Sequence, residues 1–412
     1  MTSFSAFGNP LSGSGFPATG APGSTAWRAL LALAVVLVLL ATTGWTAIRK
    51  SDDTPGPRAA ALLAWEKGSV AGRALPAPDW RPGAIARFFR TLSTAQQYRL
   101  ADRYPLVVGN LGGAPVTLRY RANHAALEDA RDVERKRMTD QRLTDEGRNE
   151  AGRRMHRFES MLHPGRQILS FDPTGRGRAA EVFGDLDRAQ SVSVVVPGVD
   201  TELLTFEKTE RSYSAPVGMA RALQDQQSAR SPQLRTATVA WADYTAPVGL
   251  GMDAASGDLA QDGGDRLRDF VRELPGASRV ALFCHSYGSV VCGVAAHELS
   301  PRVSDITVSG SPGMRADKAD QLDTRAHVWA TRDQDDWIAD VPHMEFGGLG
   351  HGADPVSPAF GSRRLAADGA VGHTGYFVPG TGSLANFAAI GTGSYGAVNC
   401  ASNDPGCTAA TD

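Results

Sequence analysis

The chain has 412 residues, 42% of them hydrophobic, and its 42 Lys and Arg against 44 Asp and Glu leave a formal net charge of -2. That is enough apolar sequence for one large core with appendages. The near-neutral balance excludes a bulk nucleic-acid binder.

Residues 1–25 are dominated by Gly, Ser, Pro, Ala and Thr and carry no charged side chain, the composition of a disordered tail. Within a segment at 26–50, residues 29–48 form an unbroken apolar or weakly polar run between Arg28 and the pair Arg49-Lys50. The run is about long enough to span a bilayer. Trp45 spoils the small-residue pattern that cleavage after Ala47 would need, so an uncleaved membrane anchor is expected. A polar linker follows at 51–60.

Residues 61–165 read mainly as helix, a helical layer preceding any sheet. Phe88, Phe89, Leu92, Tyr98 and Leu100 fall loosely on one face, Pro105 ends that segment, and residues 109–115 are a turn cluster. Helix resumes over 116–161. Its dense alternation of Arg/Lys with Asp/Glu from 119 to 158 marks a solvated surface laced with ion pairs rather than a binding patch.

From residue 168 the period changes. Residues 168–171 and 179–183 read as an antiparallel pair at a sheet edge, turning at Pro173-Thr174-Gly175. Buried strands follow at 191–196, 236–240, 280–283, 306–308 and 326–330, with helical patterns between them, among them 218–227, 264–274 and 289–299. Strand and helix alternate as in βαβ units, which predicts an α/β protein with a mostly parallel, doubly wound sheet over 166–395 and a tail at 396–412. In such sheets the site lies at the carboxyl ends of the strands.

The strongest signal is Cys284-His285-Ser286-Tyr287-Gly288 between the strand at 280–283 and the helix after it. A serine at a sharp strand-to-helix turn is the context of a nucleophile elbow. Such a serine needs a base, and the base needs an orienting acid, in the chain order Ser, acid, His. After the strand at 326–330, Asp336 is the candidate acid, with Asp333 and Asp335 as competitors. His373, flanked by Gly372 and late in the chain, is the candidate base, with His351 as its rival. His285 is expected to point away from the hydroxyl and to act structurally. An oxyanion needs two donors. The N–H of Tyr287 is one. The N–H of Val199, after the turn Pro197-Gly198, is the other. Asp200 caps that loop or contacts substrate. The histidines are scattered, with no metal-ligand spacing, and no dinucleotide or phosphate-binding loop occurs, so neither metal nor cofactor is expected. The short 311–325 connection leaves no room for an inserted lid, and the Gly- and Pro-rich 339–370 stretch is expected to wall the cleft.

Taken together, His285-Ser286-Tyr287-Gly288-Ser289, Val195 to Thr201, Ser309-Gly310-Ser311-Pro312-Gly313, His351 to Pro355, Phe360-Gly361, and Gly372-His373 with Tyr376 resemble the α/β-hydrolase superfamily. More narrowly, they resemble an actinobacterial family of unassigned substrate with a G-H-S-Y-G elbow. Residues 108–115, Arg119 and Arg121-Ala122-Asn123 are similar to that family's helical N-terminal part. The resemblance covers about residues 85–395 and implies an α/β-hydrolase fold with a Ser286–Asp336–His373 triad. This sequence departs from it at Cys284, where the elbow pattern has glycine. The implied activity is hydrolysis of an ester, thioester or amide, with a small-molecule or lipid-like substrate. A hydrolase-fold protein with a lapsed site, binding or scaffolding at the membrane, is the other class.

Sidedness rests on the cysteines. Arg28 and the amino terminus face Arg49, Lys50 and Arg58 across the apolar run, a balance that slightly favours an internal domain. Cys400 and Cys407, however, flank a polar segment with a turn at Asp404-Pro405-Gly406, which predicts a disulfide and an oxidising compartment. Cys284 and Cys292 are expected to be packed thiols. The expectation is a single-pass protein whose globular part lies outside the cytoplasmic membrane.

Overall fold

A computed structural model describes residues 56–276 and 278–409. Its sheet has eight strands: β1 (Gln167–Asp172), β2 (Arg178–Gly184), β3 (Ser191–Val196), β4 (Thr236–Ala242), β5 (Arg279–His285), β6 (Val303–Ser309), β7 (His327–Thr331) and β8 (Arg363–Arg364). The spatial order is β8-β7-β6-β5-β3-β4-β2-β1. β2 runs antiparallel to β1 and to β4, and every other pairing is parallel. The order reverses between β3 and β4, so β5 and β3 lie side by side at the centre with their carboxyl ends adjacent. This is the strand order and direction of an α/β-hydrolase fold.

The central strands are buried along their whole length, which is why they read as continuous apolar runs. Their side chains still alternate between two layers. Val194, Val239, Leu282 and Cys284 pack on one face with α7 (Asp258–Glu273) and α8 (Gly288–Ala295). Val195, Ala240, Ala281 and Phe283 pack on the other with α6 (Pro216–Arg230) and α9 (Gly382–Gly391).

The segment before the sheet is helical, with a core of its own. Here lie α1 (Pro57–Glu66), α2 (Pro82–Arg90), α3 (Thr94–Arg103), α4 (Val116–Arg137) and α5 (Asp145–Met161). Trp65, Ile85, Phe89, Leu100 and Leu118 form the apolar cluster there. Leu127 of α4 and Phe158 of α5 turn instead toward the sheet. Two sequence expectations need correction. The run 116–161 is not one helix: it breaks after Arg137, and the Thr144 hydroxyl accepts the Gly147 N–H to start α5. The helix expected over 289–299 ends at Ala295 and tightens into a 3-10 turn over Ala296–Glu298.

Cys284 and Cys292 are not packed thiols. They form a disulfide, as do Cys400 and Cys407, and no cysteine is free. Cys284, next to last in β5, points to the face on which α8 lies. Cys292, one turn into α8, points back at the sheet. The Cα atoms are 6.5 Å apart, within disulfide reach. The expected membrane span at 29–48 lies outside the described residues. Among the described residues no helix is long and apolar enough to cross a membrane.

Candidate active site

At the end of β5 the chain turns through Ser286 in the left-handed region, with φ +56°. A side chain at positive φ costs energy that the surroundings must hold in place. They do so with backbone bonds. The Ser286 N–H donates to Ser309 O at 3.0 Å, extending the pairing with β6, and the Ser289 hydroxyl donates to Ser286 O. Cys284 occupies the first position of the elbow pattern, and its disulfide ties the strand below the turn to the helix beyond it. The result is a nearly buried serine, 5% exposed, with its Oγ at the head of α8.

His373 meets this hydroxyl. Its Nε2 lies 2.9 Å from Ser286 Oγ, and its Nδ1 lies 2.8 Å from Asp336 Oδ1. Asp336 is 2% exposed. Burial works to raise its pKa, but bonds from His373, the Tyr376 hydroxyl and the Ile338 N–H win and hold the carboxyl below its ordinary 3.8. An ionised carboxylate only accepts, so His373 Nδ1 carries the proton and Nε2 is free to accept from Ser286.

Neighbouring groups fix the histidine loop. Gly372 N–H donates to Asp333 Oδ2 at 2.7 Å. The buried Tyr376 hydroxyl donates to Asp336 Oδ2 and accepts the Asp333 N–H at 3.1 Å, joining the two aspartates. His285 lies behind, its Nε2 2.6 Å from His373 O. Burial, with the adjacent His373, lowers the His285 pKa from 6.5 to about 3. The ring is therefore neutral and donates Nε2–H to that carbonyl. At the end of β6, Gly310 has φ +55°, and a Cβ there would sit 2.8 Å from Asp336 Oδ2 and 3.1 Å from His373. Only glycine lets acid and base meet at that spot.

The turn after β3 closes against the serine. A Cβ on Gly198 would be 2.6 Å from Ser286 Cβ and 3.1 Å from Tyr287 N. That contact brings the Pro197–Val199 turn beside the N–H of Tyr287, the residue that precedes α8. The Tyr244 hydroxyl donates to Pro197 O at 2.6 Å, and Asp200 accepts the Gly249 N–H at 2.7 Å. Asp200 is thus a loop cap. Among the described residues the N–H groups of Val199 and Tyr287 have no backbone acceptor.

The structure brings Ser286, Asp336 and His373 together, and sets the turn that contains Val199, through Gly198, against Ser286 and Tyr287. Asp333 is a tether for the histidine loop. Asp335 is exposed. His351 sits elsewhere, its Nε2 2.7 Å from Ala254 O and its ring edge-on to Tyr287. Sequence reasoning gave no role to Tyr376, Tyr244 or Trp337, whose ring centroid is 4.6 Å from that of His373. Tyr376 reaches an acid 40 positions away; only its place in the family-like motif marked it.

A sequence-family profile described as "Alpha/beta hydrolase" matches residues 172–346. Two curated proteins of Mycobacterium tuberculosis, from strains CDC 1551 and H37Rv and both named only as uncharacterized, are 26% identical over 277 residues. The match takes in 58% of this chain and 40% of those proteins, so the chain spans well under half of their length. Similar solved structures include a dienelactone hydrolase from Anabaena variabilis (14% identity, 57% of this chain and 99% of that one, TM-score 0.35). Another is a serine hydrolase without a lid from Xanthomonas campestris (20% identity, 42% and 74%, TM-score 0.29). The α/β-hydrolase fold itself rests on strand order and on the profile match, not on these low scores.

Proposed function

We propose that this chain is a membrane-anchored serine hydrolase that cleaves an ester, thioester or amide through an acyl-enzyme. The observation that carries the reading is the Ser286–His373–Asp336 relay, with bonds of 2.9 and 2.8 Å and a buried acid. In this reading His373 Nε2 takes the hydroxyl proton as Ser286 Oγ attacks the carbonyl carbon. Asp336 stabilises the imidazolium without taking its proton. The negative oxygen of the tetrahedral intermediate is held by the N–H groups of Val199 and Tyr287. His373 then gives its proton to the leaving group, and water repeats the sequence to free Ser286. No step calls for a metal or cofactor.

The anchor is residues 29–48, argued from their sequence. Two disulfides with no free cysteine support an oxidising compartment for the globular part. The substrate class is a small-molecule or lipid-like acyl compound.

The test uses detergent-solubilised full chain. A fluorophosphonate probe should label the wild type and leave Ser286→Ala unlabelled. Turnover of a p-nitrophenyl ester should fall about 10³-fold or more in that variant. Comparable turnover in Ser286→Ala would sink the mechanism.

A further inference from the structure

Exposed large apolar side chains are scattered singly on most proteins, and a cluster of them marks a surface that meets something apolar. Here Leu63, Trp80, Tyr98 and Val133 lie on the helical segment before the sheet, and a further set falls on loops joined to the elements that carry the serine. Val248, Leu250 and Met252 are exposed on one loop, and Met344 and Phe346 on another, with Leu250 at 68% and Phe346 at 86%. Trp337, also exposed, packs at a tilt on the His373 ring, with ring centroids 4.6 Å apart.

The contacts of these loops tie them to the elements that carry the site. The first loop is tied to the turn after β3 through Pro247 O, which accepts the Asp200 N–H, and through Gly249 N–H on Asp200. Phe346 belongs to a hairpin of Glu345–Phe346 with Leu349–Gly350, and Leu349 bridges Ser256. Ser256 O in turn accepts the Tyr287 hydroxyl. Both loops are built from Gly, Pro and large apolar residues, where exposed loops ordinarily carry polar ones.

Given the anchor proposed at residues 29–48, a second observation bears on what meets this rim. The described chain begins at Gly56, where an added Cβ would lie 3.2 Å from Thr174 Cγ2, in the turn between β1 and β2. Because β2 is antiparallel and pairs Ala179 with Ala242, the last residue of β4, that turn lies at the carboxyl end of the sheet. The tether therefore leaves from the same end as Ser286. Residues 49–55 alone join it to the apolar run at 29–48, and seven extended residues reach at most about 25 Å.

We propose that the Val248–Met252 and Met344–Phe346 loops dock on the surface of a lipid bilayer. The site mouth then faces the membrane, and the substrate of the proposed hydrolase is an acyl lipid drawn from it. The docking itself does not depend on the hydrolase reading. Insertion of a few apolar tips is weak alone, and a tether that holds them near the surface makes it effective.

The test is the full chain in phosphatidylcholine vesicles, with a single environment-sensitive nitrobenzoxadiazole label on Leu250→Cys, Phe346→Cys or Arg188→Cys. Arg188 is exposed between β2 and β3 at the opposite end of the sheet. Nitroxide-bearing phosphatidylcholine should quench the labels at 250 and 346 by about half or more, and that at 188 by less than about a tenth, as expected for side chains seated at the headgroup boundary. Equal quenching at all three positions, or none at 250 and 346, overturns the proposal. Energy transfer between labelled copies without lipid quenching would assign the rim to a second copy and overturn it as well. None of these readouts requires turnover, so failure of the hydrolase reading would be seen separately, in the fluorophosphonate assay.

Discussion

The two disulfides close loops of nearly equal length, with sequence separations of 8 and 7 residues. By chain entropy each should stabilise the fold by a similar amount, about 2–3 kcal/mol. Their surroundings differ. Cys400–Cys407 shapes a tail whose backbone and Asp404 side chain hold β8. Arg363 donates to Cys407 O at 2.6 Å, and Arg364 N–H donates to Asp404 Oδ2 at 2.9 Å. The tail thereby covers a sheet edge, which otherwise offers unpaired backbone groups to other chains. Cys284–Cys292 lies beneath a serine at φ +56°, between the strand that delivers it and the helix that follows it. The same covalent bond thus secures a chain end in one place and the geometry of a reacting group in the other.

The largest expected effect separates the elbow from everything else at the carboxyl end of the sheet. His373→Ala should reduce ester turnover about 10³-fold, since members of a triad act as a unit. His351→Ala, which loses a bond to Ala254 O, should cost far less. Steady-state kinetics on both variants would break the assignment if His351→Ala were the inactive one.

The second test sets one disulfide against the other. Removing Cys284–Cys292 as Cys284→Gly with Cys292→Ala should lower the thermal midpoint and also reduce kcat about ten-fold, as expected when a reacting group loses its preorganisation. Removing Cys400–Cys407 as a double alanine variant should lower the midpoint comparably, by the stabilisation of about 2–3 kcal/mol above, with kcat within about two-fold. Equal kcat in the two double variants would show that the elbow disulfide does not position Ser286.

Tyr376→Phe sharpens the comparison from the acid side. It removes one of the bonds that keep the Asp336 carboxyl below 3.8. A depressed carboxyl contributes stability above its ordinary pKa and loses it as pH falls through the folded value. In Tyr376→Phe the folded value rises, so the acid loss of stability should begin at higher pH, with a kcat decrease of several-fold. An acid unfolding curve identical to that of the wild type would remove Tyr376 from this role.

The smallest effect concerns His285, whose ring is neutral with a pKa near 3 against an ordinary 6.5. Between those values the unfolded chain binds the extra proton, so stability rises with pH across the window. His285→Gln can keep the bond to His373 O and removes the titration. Its stability between pH 3 and 6.5 should therefore depend less on pH than that of the wild type, measured by denaturant titration. An unchanged slope would contradict the buried neutral ring.

Much of this molecule was legible in its sequence. The strands from 191 to 330 were visible because burial on both faces demands continuous apolar runs. Ser286 was visible because the strand–turn–helix around it is local, and the Cys400–Cys407 pair because its turn is local too. Residues 363–364 gave no such signal, since a two-residue edge strand has no period and is held by a tail some 40 positions away.

Tertiary structure alone decided what meets across the sheet. The sequence favoured Asp336 over Asp333 and Asp335 without excluding either, and the positions of His373 and Tyr376 separate acid, tether and exposed side chain. Cys284 and Cys292 bear no spacing signature of a disulfide. Their pairing requires the sharp turn at Ser286 to fold α8 back over β5. Local order is set by propensity and by apolar period, which neighbouring residues carry. Contacts between distant residues are set by where whole strands end, and no local pattern carries that.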